Sequence, residues 1–217
     1  ALIYANTNGI AGWTFWEFML FQGTGVFVWG LSEFAVFSIV WRNMEMIRRG
    51  TFDRMLVTPF RTLILSTLHA IDLDGFPRML VGLVLIVMSI IKLSRTGFFS
   101  VTAYVFAVLL AFIFMYSFSI IVGALAFLVT KSFGLFSIFM TAEEYTRFPL
   151  TVYGPTIGFV LSFVLPFGLA SFYPAQAILG RLAWSTVGGL TLSVAIFFGI
   201  ALLFWCYAMK KYTSAGG

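Results

Sequence analysis

Long stretches without a single Asp, Glu, Lys or Arg residue dominate this sequence. Residues 101–129, 157–170 and 190–209 are three such runs. The first and the third are long enough to cross about 30 Å of hydrocarbon as helices. Charged residues make up only 10% of the chain, whereas soluble domains have about 25%. The chain is therefore predicted to lie in a bilayer and to cross it several times.

The predicted fold class is all-α, a polytopic transmembrane helical bundle within one membrane domain over residues 1–217. A backbone in lipid must satisfy its own hydrogen bonds, and the apolar runs are too continuous for barrel strands. Five helices are predicted, at 15–41, 79–93, 99–129, 155–174 and 186–209. Pro166 interrupts the fourth and favours a kink. The following segment, 167–181, contains Pro174 and is predicted to be re-entrant or interfacial.

Arginine and lysine are distributed unevenly among the connecting segments. Segments 42–78 and 130–153 and the C-terminal tail together carry ten of them, against three in the remaining connections, at Lys92, Arg95 and Arg181. Positive residues stay on the cytoplasmic side, so region 42–78 and the C-terminus are predicted to be cytoplasmic. Five crossings then leave the beginning of the chain outside, and a cytoplasmic N-terminus would require a sixth helix before Ala1.

Residues 42–59, hereafter the basic segment, form the one strongly charged island. Between Met44 and Leu56 the apolar residues fall largely on one helical face, which predicts an amphipathic helix at about 43–57. Glu45 could pair with Arg49, and Arg49 with Asp53, each at a spacing of four. Gly50 weakens the middle of the helix. Two interpretations remain open: arginines that hold anionic lipid headgroups, or a helix that docks a soluble partner.

Four short motifs add a resemblance to a known family. Residues 47–59 resemble the "I-x-x-G-x-hydrophobic-D-x-x-L-hydrophobic-x-P" segment of permease subunits in type 2 ATP-binding cassette (ABC) exporters, in the subgroup whose ATPase is a separate polypeptide. Residues 146–153 resemble the "R-F-P-hydrophobic-x-hydrophobic-Y" stretch of that subgroup, and 165–175 its "L-P-hydrophobic-A … Y-P-A" region. Residues 211–216 resemble its basic, tyrosine-containing C-terminus. The order and spacing of the motifs cover nearly all of the chain.

The resemblance implies a permease of six helices that exports its substrate as a homo- or heterodimer in a bacterial-type inner (plasma) membrane. In that family the helix after the second transmembrane segment is a coupling helix that contacts a cytoplasmic nucleotide-binding subunit. The implied docking residues here are Arg48, Arg49, Phe52, Asp53, Arg54 and Leu56. ATP and Mg²⁺ would be bound by the partner ATPase, because none of the lysines of this chain stands in a G-x-x-x-x-G-K-[ST] loop. Membrane lipids are the other expected partner, and nucleic acid is not expected.

Glu33 is the candidate residue inside the first predicted helix, 15–41. A charge at such depth costs about 2.5–3.5 kcal/mol on insertion scales and should face protein or water. It would either line the translocation path or pair with a cationic group there, or else lie near the cytoplasmic interface, held by Arg42 or by an adjacent helix. Glu17 is predicted to be interfacial.

No catalytic, cofactor-binding or metal site is predicted. One histidine and one cysteine cannot form a metal cluster by themselves. Glu143 and Glu144 are four and three residues from Arg147, which predicts local ion pairing on a helix. A secondary transporter, a membrane-bound enzyme and a non-transporting assembly subunit remain as alternatives. The first would need ion-coupling carboxylates or broken-helix repeats, and the second is disfavoured by the lack of histidine or acidic clusters.

Overall fold

The computed structural model describes residues 12–59, 61–93, 97–128, 134, 137, 141, 143–144 and 146–213. Its regular elements are helices, which confirms the predicted all-α class. The α-helices are α1 Phe15–Ser32, α2 Ser38–Arg48, α3 Asp53–Leu56, α4 Thr62–Leu68, α5 Gly75–Leu93, α6 Phe98–Leu125, α7 Pro155–Phe159, α8 Phe172–Ile178 and α9 Trp184–Lys211. π-helical turns occupy Glu33–Phe37 and Val160–Val164, and 3₁₀ turns occupy Leu150–Val152 and Phe167–Ala170.

Four of the described helical stretches are long and apolar enough to span a membrane: Phe15–Arg48, Gly75–Leu93, Phe98–Leu125 and Trp184–Lys211. The first joins α1 to α2 through the π turn and has 34 residues, a length of about 50 Å at 1.5 Å per residue. It therefore extends well beyond a hydrocarbon core of about 30 Å.

The predicted fourth crossing, 155–174, is wrong as a continuous helix. α7 and its π turn end at Val164, and the backbone then leaves helical geometry at Leu165 and Pro166. Proline lacks the N–H that an α-helix needs and disfavours helical geometry in the residue before it. Ser193 of α9 donates a hydrogen bond to the carbonyl of Phe163 in the π turn. The predicted interruption at Pro166 thus produces a complete break.

The core is built around α6. Phe114 is fully buried, and its ring lies 5.2 Å from Phe167 of the 3₁₀ turn and 5.1 Å from Phe197 of α9, centroid to centroid. The buried 3₁₀ turn Phe167–Ala170 therefore packs between the long helices.

α1 and α5 pack with their backbones almost in contact. A Cβ on Gly82 would lie 2.4 Å from the Phe27 nitrogen, and one on Gly30 would lie 2.5 Å from the Met79 nitrogen. Small residues permit such close approach in lipid. The glycines that permit it are Gly23 and Gly30 on α1 and Gly75 and Gly82 on α5, seven residues apart on each helix.

The π turn between α1 and α2 is tied to the connection before α5. The Asp72 N–H donates to the carbonyl of Phe34 at 2.8 Å, and Ser38 Oγ donates to Asp72 Oδ2 at 2.9 Å. A π turn changes the pairing of backbone carbonyls along the helix, and here one of them accepts a long-range bond. The geometry fixes where α5 begins, beside the middle of the Phe15–Arg48 stretch.

Candidate docking surface and charged cavity

The basic segment is a helix end, a tight turn and one further helical turn. α2 ends at Arg48, Gly50 adopts a φ of +66°, and α3 starts at Asp53. A glycine with positive φ commonly follows the last turn of a helix because it has no Cβ to strain. The prediction of one helix over 43–57 is therefore wrong. The turn also removes the helical spacing on which the predicted Arg49–Asp53 pair depended.

Phe52 anchors this turn inside the protein. Its side chain is fully buried, with its ring centroid 4.7 Å from that of Phe127 and 5.4 Å from that of Tyr212. Phe127 in turn contacts Trp205 of α9 at 5.5 Å. Phe52 thus supports the basic segment from beneath and does not present its own ring at the surface.

Asp53 takes part in the same attachment. Tyr212, directly after α9, donates a hydrogen bond from its phenol to Asp53 Oδ1 at 3.0 Å. Partial burial, followed by this hydrogen bond and the charge of Asp53, raises the pKa of Tyr212 above its ordinary value. Tyr212 was absent from the predicted site, although its tyrosine-containing tail was part of the family resemblance.

The remaining predicted docking residues face outward. Arg48 and Arg49 have exposed side chains, at 78% and 69%, and both pair with Glu45, Arg48 at 2.8 Å. The predicted Glu45–Arg49 pair is confirmed. Arg54 and Leu56 are exposed as well. Val57 was not predicted, yet it is 85% exposed and places a second apolar side chain beside Leu56.

The connection that follows is held by Asp72. The Asp74 N–H donates to Asp72 Oδ1 at 3.2 Å, and Arg42 reaches the nearby carbonyl of Ile71 at 3.5 Å. The Asp74 and Ser38 hydrogen bonds and the charge of Arg42 lower the pKa of Asp72 below its ordinary value, against a smaller opposing effect of burial.

Glu33 belongs to a three-membered charge cluster. Arg78 of α5 pairs with Glu33 at 3.6 Å and, more closely, with Glu143. Its guanidinium carbon lies 6.0 Å from the centre of the Trp29 ring. The cationic partner of Glu33 thus comes from the adjacent helix. The predicted local pairing of Glu143 with Arg147 is wrong, because Arg78 binds that carboxylate across 65 positions of sequence.

A cavity of about 330 Å³ adjoins this cluster. We call it the charged cavity. Gln22 Nε2 donates to the carbonyl of Arg147 at 2.8 Å, and Ser171 Oγ donates to that of Thr146 at 3.1 Å. These bonds hold residues 146 and 147 against α1 and the start of α8. The cavity is lined by Gln22, Gly25, Val26, Trp29, Arg78, Glu143, Thr146 and Arg147.

A second ion pair closes the end of the bundle that is remote from the basic segment. Arg181 donates to Glu17 at 2.5 Å, and Glu17 also accepts from the N–H of Thr14 at 2.9 Å. Lys92 lies 6.0 Å from the ring centre of Trp16 at the same end. Glu17 was predicted to be interfacial; its side chain is buried within the protein, where the bond to Arg181 compensates its charge.

Another cavity, of about 320 Å³, lies between α6 and α9. Its lining is apolar apart from Thr102 and includes Phe106, Leu110 and Trp184. It offers no charged group to a ligand.

Comparison with known proteins gives one result. The sequence model of the family described as "ABC-2 family transporter protein" matches residues 1–216. No curated protein and no solved structure matches the chain. With four long apolar helices among its described residues and a match over nearly its whole length, the chain is a multi-pass membrane protein and belongs to the ABC-2 transporter family, as a permease subunit of an ABC transporter.

Proposed function

We propose that this chain is the permease of an ATP-driven exporter, and that the exposed part of its basic segment docks a separate cytoplasmic nucleotide-binding subunit. The docking surface consists of Arg48, Arg49, Arg54 and Leu56, with Val57 beside them. Phe52 and Asp53 hold that surface in place from within. The C-terminus lies on the same cytoplasmic side of the inner membrane.

The observation that carries the proposal is the attachment of the basic segment to two long helices at once. Phe52 packs against Phe127 just after α6 and against Tyr212 just after α9. A protein that pushes on this turn therefore moves the ends of both helices together. The charges of the arginines fix the position of a partner on this surface, and Leu56 and Val57 supply apolar area for contact with it.

ATP chemistry belongs to the partner in this mechanism. The nucleotide-binding subunit binds ATP and Mg²⁺, and its movement reaches the membrane helices through the basic segment. Two arrangements of the helices, open to one side or to the other, would then alternate.

The proposed complex contains a second permease subunit, identical or related. In the most apolar 18-residue stretches of α5 and α9, only 17% of the residues are buried within this chain. Both helices therefore leave broad faces for lipid or for that subunit. Within this complex we assign Glu33 to the translocation path through its pair with Arg78, which lines the charged cavity.

Copurification tests the docking surface. The ATPase encoded with this permease is expressed with it, and the complex is purified and assayed for vanadate-sensitive ATP hydrolysis. Charge reversal at Arg48, Arg49 and Arg54 together should abolish association and leave membrane insertion intact. Arg61→Glu is the matched control, because Arg61 is exposed but lies outside the basic segment, and it should retain association.

Three results would contradict the proposal. Retained association of the triple variant excludes docking through these arginines. A purified assembly without any ATPase supports the alternative of a non-transporting subunit. Transport that follows an ion gradient and ignores ATP supports a secondary transporter.

A further inference from the structure

Arg147 lies between the two charged levels of the bundle. Along the Phe15–Arg48 stretch, Glu17 pairs with Arg181 at one level and Glu33 with Arg78 at the other. These levels are about 24 Å apart at 1.5 Å per residue, close to the thickness of a hydrocarbon core. Gln22 holds the Arg147 carbonyl between them, about 8 Å from the Glu17 level. The Arg147 backbone thus lies nearer to the Glu17 level than to the Glu33 level.

The two arginines of the charged cavity, Arg78 and Arg147, differ in whether carboxylates neutralise their charge. Arg78 is neutralised by two carboxylates, Glu33 and Glu143. The guanidinium of Arg147 has no ion-pair partner among the described residues, and its side chain is exposed. An uncompensated arginine at membrane depth is unfavourable unless it meets water or an anion, and such residues commonly mark substrate pathways.

The part of the cavity lining that α1 contributes is different in character. Gly25, Val26 and Trp29 of α1 contribute an apolar and aromatic side. The cavity therefore offers one arginine that has no ion-pair partner among the described residues, together with one hydrophobic wall. Its volume of about 330 Å³ falls within the range of small-ligand sites, about 300–1,000 Å³.

We propose that the charged cavity binds an amphipathic anion, through the phosphate or carboxylate that Arg147 receives and a hydrophobic body that lies along Val26 and Trp29. Arginine suits this task because its planar guanidinium can donate two parallel hydrogen bonds to either anion. The identification of this molecule as transported cargo rests on the proposed function. The binding itself is a property of this chain alone.

The test uses phosphatidic acid and diacylglycerol with identical acyl chains. The full chain is purified in a neutral detergent, and bound lipid is counted by native mass spectrometry during titration. Phosphatidic acid should bind at least about ten-fold more tightly than diacylglycerol, because only the former offers an anion to Arg147. Equal binding of the two lipids would overturn the proposal.

Three variants locate the site. Arg147→Gln should weaken phosphatidic acid binding about ten-fold, Arg147→Lys should restore most of it, and the control Arg61→Gln should leave it unchanged. If Arg147→Gln and Arg61→Gln lose binding equally, the anion is attracted by overall charge and the site is refuted. Thermal unfolding of each variant shows whether the fold is intact, and the lipid comparison in the unaltered chain stands if a variant fails to fold.

Inorganic phosphate distinguishes the source of the anion. At millimolar concentration it should not displace phosphatidic acid, because it cannot use the hydrophobic wall. Efficient displacement would show a site for free phosphate and would overturn the amphipathic assignment. These measurements need no ATPase, so a failure of lipid binding and a failure of the docking test are separate results.

Discussion

Tyr212 donates a hydrogen bond to Asp53 and thereby joins the end of α9 to the turn that carries the exposed arginines. Its ring also lies 5.5 Å from that of Phe127, so the attachment has a polar and an aromatic part. The two parts can be separated by mutation, because phenylalanine keeps the ring and loses only the hydroxyl.

Tyr212→Phe should loosen the basic segment without unfolding the bundle. Loss of a hydrogen bond to a carboxylate at a partly exposed site costs about 1 kcal/mol, which is about a five-fold increase in local opening. Limited trypsin digestion measures this opening, since Arg48, Arg49 and Arg54 provide cleavage sites within the segment. Asp53→Asn should weaken the same contact. The control Tyr207→Phe alters an exposed tyrosine of α9 and should leave the cleavage rate unchanged. Equal cleavage rates for all variants would argue against a role of the Tyr212–Asp53 hydrogen bond in holding the basic segment.

Asp72 should make the connection before α5 sensitive to acid. Its pKa lies below the ordinary value of 3.8 because Asp74 and Ser38 donate to the ionised carboxylate. A carboxyl with a depressed pKa stabilises the fold above its unfolded pKa, and this contribution disappears as the pH falls through the folded pKa. Asp72→Asn should therefore lower the unfolding temperature at neutral pH, and its difference from the unaltered chain should shrink below about pH 4.

Thermal unfolding of the purified chain in detergent between about pH 7 and pH 3 measures this convergence. Asp74→Asn is the matched control, because it keeps the backbone N–H that Asp72 uses. A constant difference between Asp72→Asn and the unaltered chain at every pH would show that the charge of Asp72 contributes nothing.

Gly82→Ala should separate α1 from α5. The new Cβ would lie 2.4 Å from the Phe27 nitrogen, a backbone atom that a rotamer change cannot move. Overpacking of this kind costs about 1–3 kcal/mol. Gly188→Ala is a suitable control, since a Cβ at that position in α9 meets no described atom within 4 Å and improves helix propensity. The unfolding temperature should fall for the first variant and stay equal or rise for the second; the opposite order would refute the close α1–α5 packing.

The sequence predicted the long helices well because membrane insertion depends on continuous apolar length, a local property. The predicted 15–41, 79–93, 99–129 and 186–209 each correspond to an observed long helix. Where the fold depends on one residue's backbone, the prediction was less complete. Gly50 and Pro166 were recognised as weak points, but their effect is a full break in each case.

Contacts between distant residues were harder to predict. Gly23, Gly30, Gly75 and Gly82 looked no different from Gly154 or Gly188 in sequence, and only the spacing of seven on both α1 and α5 could have indicated a shared seam. Glu143 was assigned to Arg147 because helix spacing favours near neighbours, whereas Arg78 reaches it from α5. Phe52 was grouped with the docking residues through the family resemblance. The amphipathic pattern could not correct this, because it does not reveal whether an apolar side meets a partner or the rest of the chain.

Removing Arg181 from the Glu17–Arg181 pair should lower the free energy of unfolding more than removing Glu17. The carboxylate side chain is only 9% exposed, whereas the arginine is 46% exposed. Arg181→Gln leaves a buried charge without its cation and should cost about 2 kcal/mol, less than the 3–5 kcal/mol of a fully buried pair because water reaches the arginine. Glu17→Gln should cost about 1 kcal/mol, since the freed arginine can turn to water and the amide oxygen can still accept from Thr14.

A double-mutant cycle by thermal unfolding tests this asymmetry directly. The double variant should lose less unfolding free energy than the sum of the losses of the two single variants. Once Glu17 is neutral, the loss of Arg181 no longer leaves a buried charge without a partner. Lys92→Gln provides the comparison at the same end of the bundle, where an exposed cation near Trp16 should matter by less than about 1 kcal/mol. Strict additivity, or a larger cost for Glu17→Gln than for Arg181→Gln, would mean that burial of the carboxylate does not control the stability of this end.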